Sequence, residues 1–170
     1  LSIRRQRQMC IRDRRYIAVT QFQESDARRA FPCMDHPSQK AVFDIEMIVD
    51  HELVALSNGP AVEEKPLNGG KKQVRFQTTP PMSTYLLFFG VGEFHLTDHE
   101  TDPRVRCVTL PGRVPYGGFG LEFGRKALEF CEAYYQIPYA LSKMDLIAIP
   151  DFAFGAMENW GAITFRENLI

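Results

Sequence analysis

The chain has 170 residues, 45% hydrophobic and 24% charged, with a formal net charge of −1. This composition excludes the disordered and collagen-like classes and leaves room for one ordinary domain or two small ones. Apolar stretches such as Tyr85 to Val91 are too short to span a bilayer, and no apolar h-region follows the basic start, so no transmembrane segment or signal peptide is read and a cytoplasmic location is expected.

The charge is uneven. Residues 1–15 carry six arginines against Asp13, a local charge of +5, so the remainder carries −6. Such an arm could bind nucleic acid or membrane. LSIRRQRQMCIRDRR, however, shows no strand alternation, helical stripe or turn logic. It reads as foreign to the rest of the chain, and neither a function nor a nucleic-acid partner is assigned to it. The four cysteines, Cys10, Cys33, Cys107 and Cys131, form no C-x-x-C pair, so buried free thiols in a reducing compartment are expected rather than a zinc knuckle or redox motif.

From residue 16 to about 110 the pattern is strand-like. Ala41 to Asp50 alternates apolar and polar residues, as a half-buried strand does. Glu52 to Ser57 is a short apolar run closed by the turn signal Asn58-Gly59-Pro60. Asn68-Gly69-Gly70 marks a second turn, after which Val74, Phe76 and Thr78 alternate. Tyr85 to Val91 is a continuous apolar run, expected as one strand buried on both faces, and Arg104 to Leu110 alternates again. Short strands at this spacing predict a mainly β fold, an N-terminal sandwich or saddle domain over residues 16–110.

The texture then changes. Phe119 to Gln136 reads as a helix with Leu121, Leu128, Cys131 and Tyr135 on its apolar face and Glu122 four before Lys126, and Ile137-Pro138 ends it. Asp145 to Ile149 is a short buried strand stopped by Pro150, and Asn159 to Phe165 is another. Residues 111–170 therefore read as the beginning of an α+β domain, too few to close a core alone.

The four histidines, His36, His51, His95 and His99, match no zinc motif. His95 and His99 lie in strand and turn sequence, and His51-Glu52 is followed by Ala55 where H-E-x-x-H needs histidine. They are read as surface or turn residues. No G-x-S-x-G is present, and Gly117-Gly-Phe-Gly120 lacks the rest of a phosphate loop. There remains FGAMENWG, residues 154–161. Its Gly155 and Ala156 permit close approach by another backbone, so a peptide could add to a sheet edge there. Its one charge is Glu158, which on residue chemistry alone is equally a solvated carboxylate at a strand end.

Two stretches together resemble one family. Residues 20–37, TQFQESDARRAFPCMDHP, are similar to the opening segment of the zinc aminopeptidases of the alanyl/puromycin-sensitive type, a family that includes a leukotriene hydrolase. Residues 143–161, KMDLIAIPDFAFGAMENWG, resemble that family's exopeptidase signature and its lead-in strand. The resemblance covers residues 16–170. It implies a thermolysin-like catalytic domain beginning at 111 and peptide substrates with a free N-terminus. It also implies substrate binding by Gln23, Gly155, Ala156, Met157, Glu158 and Asn159. Of these, Glu158 matches the glutamate that binds the substrate's α-ammonium, and Gln23 the second amine-binding position. Residues 155–157 match the segment whose backbone runs along the substrate. Phe154 would help shape the first side-chain pocket.

In that family zinc is held by H-E-x-x-H and a later glutamate, with a tyrosine further on for the oxyanion. None of these motifs occurs here. Zinc is thus the cofactor implied for the full-length enzyme, whereas this chain is expected to bind none and to cleave nothing alone. The missing remainder of the catalytic domain is its implied partner. Two other readings stay open: a relative that grips peptide ends without hydrolysis, marked by a decayed H-E-x-x-H in the parent gene, and a β-sandwich interaction module, for which Glu158→Ala would cost no function.

Overall fold

The computed structural model describes residues 17–170. The arginine-rich start and Cys10 lie outside the described residues. The chain forms two compact units, the first ending at Glu93 and the second spanning Phe94–Ile170.

Among the described residues the first unit has only β-strands as regular elements, apart from single 3-10 turns at Ala27–Arg29 and Thr84–Leu86. Its strands are β1 (Ile17–Val19), β2 (Lys40–Ala41), β3 (Glu46–Asp50), β4 (Val54–Ser57), β5 (Ala61–Leu67), β6 (Lys71–Phe76), β7 (Met82–Ser83) and β8 (Phe89–Gly92). They pair antiparallel in three small sheets, ordered β1-β8-β4, β3-β6-β5 and β2-β7. Gly69 and Gly70, both at positive φ, make the tight turn from β5 to β6, where a side chain would be strained. Val74, Phe76, Met82, Leu87 and Phe88 are buried as its core.

The apolar run at 85–91 is not one strand. Leu87 N–H donates to the Thr84 carbonyl and closes a 3-10 turn. The buried Asn58 then takes up the two backbone groups a ladder would have paired: its Nδ2 donates to Leu86 O at 2.8 Å and its Oδ1 accepts from Phe88 N at 3.0 Å. β8 begins only at Phe89. The segment 41–50 is likewise interrupted, because Phe43 N donates to the Thr79 hydroxyl instead of to a neighbouring strand.

The D-A-R…F-P-C-M-D pattern has a structural role. Buried Asp35 accepts from Arg28 N at 3.0 Å, Arg28 Nε at 3.2 Å and Thr84 Oγ1 at 2.8 Å. Burial works against its carboxylate, but these donors outweigh it and hold the group below the ordinary aspartate value.

The second unit is one five-stranded sheet with a helix. Its strands are β9 (His95–Asp98), β10 (Val105–Thr109), β11 (Met144–Ile149), β12 (Ala156–Met157) and β13 (Ala162–Arg166), in the order β12-β13-β11-β10-β9. β10, β11 and β13 run parallel, and β9 and β12 are antiparallel on the edges. Helix α1 (Gly118–Tyr135) is the crossover between β10 and β11. It ends where Gln136 turns left-handed, just before Ile137-Pro138. β11 is buried at all six positions, as a central parallel strand requires.

The second unit thus begins at Phe94, upstream of the expected boundary at residue 110, because β9 pairs with β10 and β10 with β11, and neither pairs with the strands before them. The buried line of α1 also differs from the expected one. It runs through Gly120, Leu121, Gly124 and Leu128, while Cys131 and Tyr135 are exposed. Glycines carry the closest packing: a Cβ on Gly124 would lie 2.6 Å from Leu146 Cδ1. Val105, Cys107, Leu121, Leu128, Met144 and Leu146 form the core. Burial pushes the Cys107 thiol up to about 11.

Candidate functional site

FGAMENWG follows β11 and contains β12, one of the two edge strands of the second sheet. Ala156 pairs with Phe165 and Met157 with Thr164, both on β13. Among the described residues β12 has no strand on its other side. Its extended backbone alternates: Ala156 is exposed, Met157 fully buried, Glu158 exposed, Asn159 1% exposed and Trp160 38% exposed. Met157 and Asn159 therefore anchor the segment, and Glu158 projects from it. No hydrogen bond or ion pair among the described residues engages the Glu158 carboxylate. Phe154 is exposed and packs edge-on against buried Phe152, with ring centroids 6.1 Å apart.

Asn159 is expected among the substrate-binding residues. Its side chain instead points inward, Nδ2 donating to Ala162 O at 3.3 Å and to Thr164 Oγ1 at 3.5 Å. Ala162 N donates back to Asn159 O at 3.0 Å, and Gly161, at φ 70°, turns the chain into β13. Asn159 thus shapes the turn beneath Glu158. Gly155 is exposed, and its carbonyl accepts from Arg166 N at 2.9 Å.

The other expected residue, Gln23, lies in the first unit. It sits in an exposed turn after buried Phe22, and its peptide bond to Glu24 is cis. Two residues earlier, both ends of the Gln21 side-chain amide are buried without a partner among the described residues. No sequence pattern singles out Gln21.

Sequence reasoning also missed a buried ionic cluster under the end of the segment. Asp145, on β11, is fully buried and accepts a bidentate pair from Arg106, Nε at 2.6 Å and Nη2 at 2.9 Å. Lys143 is 3% exposed and places Nζ 2.8 Å from Asp145 Oδ2 and 2.6 Å from Gly161 O. Burial pushes the Lys143 ammonium down to about 8, with Asp145 opposing. The only hint in the sequence is a charged residue inside the run MDLIAI.

Among the described residues no group of three or more His, Cys, Asp and Glu side chains is gathered to hold a metal. His99, read as a surface or turn residue, is mostly covered and its Nε2 lies 2.9 Å from Glu122 Oε2 on α1. His36 lies 2.8 Å from the Ser38 hydroxyl. Among the described residues no helix is long and apolar enough to cross a membrane.

Comparison with known proteins agrees with both signature stretches. The Peptidase M1 N-terminal domain matches residues 5–86, and the Peptidase family M1 domain matches residues 119–170. The chain belongs to peptidase family M1. The first match reaches into the arginine-rich start, and the second takes in the whole of FGAMENWG. The chain is 49% identical over 156 residues to a leucyl aminopeptidase of Saccharolobus solfataricus, covering 91% of this chain and 20% of that protein. It is 51% identical over 160 residues to aminopeptidase M1-A of Oryza sativa, covering 93% of this chain and 18% of the other. It is 45% identical over 156 residues to the puromycin-sensitive aminopeptidase of Caenorhabditis elegans, covering 90% and 16%. The chain thus spans about a fifth of the length of these M1 relatives.

Proposed function

We propose that this chain is the amino-end recognition part of a zinc aminopeptidase, and that Glu158 binds the free α-ammonium of the peptide. The observation that carries the reading is the outward Glu158 on a segment pinned by Met157 and Asn159, beside a strand edge that no described residue pairs with. A free peptide amino end is largely charged near neutral pH. A carboxylate on a rigid edge can hold it, and the backbone of 155–157 can pair with the peptide, which fixes the distance from amine to scissile carbonyl. The enzyme then counts one residue. One charge-assisted hydrogen bond contributes about 1.5–3 kcal/mol, up to about a hundredfold in binding. By family resemblance Gln23 is the second acceptor.

Zinc chemistry does not fit these residues: the sequence holds no H-E-x-x-H, and the described residues gather no ligand set. In this reading the ligands and general base lie elsewhere in the full-length enzyme, and residues 1–170 bind and orient the substrate.

The test is product analysis with the full-length enzyme on one peptide, free and N-acetylated. The reading expects release of the first residue from the free peptide only. Equal cleavage of the acetylated peptide, internal cleavage, or no cleavage of either would overturn it, the last leaving a non-hydrolytic peptide-end binder.

A further inference from the structure

We infer that Lys143 is a positioning residue for the amine-binding carboxylate, acting on Glu158 through the Gly161 carbonyl; this rests on the reading of Glu158 above. Lys143 Nζ donates to Gly161 O at 2.6 Å, and the backbone N–H of Asp145 donates to the same oxygen at 3.1 Å. That oxygen belongs to the third residue of the turn Asn159–Ala162, which is closed by the Ala162 N to Asn159 O bond. Glu158 is the residue immediately before the turn. The opposite end of the segment is held in the same way. Arg166 Nε donates to Phe152 O at 3.0 Å and its Nη2 to Ala153 O at 3.2 Å, while its backbone N–H takes Gly155 O. Two cations thus staple carbonyls on either side of Glu158.

A buried ion pair is an expensive way to gain stability, because desolvating both charges offsets most of their attraction. Its return here is geometric. The ammonium is held by Asp145, Asp145 by Arg106, and Arg106 by its place on β10 within the sheet. The position of Gly161 is thereby tied to two central strands. A strand end would otherwise fray, and a carboxylate displaced by an ångström would lose the ammonium.

The experiment uses the full-length enzyme and two inhibitors that differ only in the amine: leucine hydroxamate and its des-amino counterpart, isocaproyl hydroxamate. In Lys143→Met the Ki of leucine hydroxamate should rise about tenfold, the scale of one weakened charge-assisted bond, while that of isocaproyl hydroxamate changes less than about twofold. Glu158→Gln should show the same selectivity. Lys143→Gln keeps an N–H donor for Gly161 without the charge, so it should fall between wild type and Lys143→Met, and it serves if the methionine variant fails to accumulate. Equal weakening of both inhibitors, or of neither, in the Lys143 variants while Glu158→Gln stays selective overturns the positioning role alone. A folded Glu158→Gln without selectivity overturns the amine reading and this inference with it.

Discussion

Gly124 of α1 lies directly over Leu146 of β11, so closely that a methyl group on Gly124 would stand 2.6 Å from Leu146 Cδ1 and 3.4 Å from Val105 Cγ1. The helix crosses the sheet at this point because it has no side chain there. Gly124→Val should therefore force the helix off the sheet and destabilise the protein by about 1–3 kcal/mol, the range for overpacking a filled core. Thermal unfolding of the full-length variant reads this. An unchanged midpoint would mean that the crossing is loose.

The same contact shows how far the sequence is legible. The ends of α1 fall within a residue of the expected ones because Pro138 and the helical period mark them. Its buried face differs from the expected one, since the pattern credits Cys131 and Tyr135 and ignores Gly120 and Gly124, which do the packing. β10, β11 and β13 are visible as apolar or alternating runs. β5 is not, because AVEEKPL is exposed and contains Pro66. It is held by its ladder to β6 and by the cross-strand pairs Lys72–Glu64 and Arg75–Glu63, which need the partner strand to be seen. Glu158 is singled out as the candidate for the proposed amine site by its neighbours in FGAMENWG. Lys143 and Asp145 are not, because their meaning lies in Gly161, sixteen and more residues away.

Gly161 holds the left-handed turn that leads from Glu158 into β13, with φ at 70°. Gly161→Ala should cost about 1–2 kcal/mol, the penalty of that conformation for an L-residue. It should also raise KM for free-amine substrates more than it lowers kcat. Steady-state kinetics and thermal unfolding on one preparation check both. A variant as stable and as active as wild type would place the turn outside the binding apparatus.

If Gln23 is the second acceptor, as proposed, it offers the substrate amine an uncharged group where a glutamate would add a second negative charge. In the full-length enzyme Gln23→Glu should lower KM for unblocked peptides, by up to about tenfold if one neutral hydrogen bond becomes charge-assisted. An unchanged or raised KM would remove Gln23 from the amine site.

Glu122 is held down at about 2 by His99 foremost, then by Arg125 and Lys126. A carboxyl lowered in the folded state binds protons less readily than in the unfolded chain. Its stabilising effect is therefore complete above the ordinary value of 4.5 and is lost as pH falls through about 2. The gap in thermal midpoint between wild type and Glu122→Gln should stay constant down to about pH 4.5 and close below it. A gap that does not depend on pH would show that the carboxylate is unpaired in solution.

Glu158 decides the whole account. The most direct measurement is kcat/KM of full-length Glu158→Gln against wild type, on an aminoacyl anilide with a free amine. Loss of the charge should lower kcat/KM by about tenfold to a hundredfold, the worth of one charge-assisted bond to the ammonium. A folded variant with wild-type kcat/KM would contradict the account and leave FGAMENWG as an ordinary strand and turn.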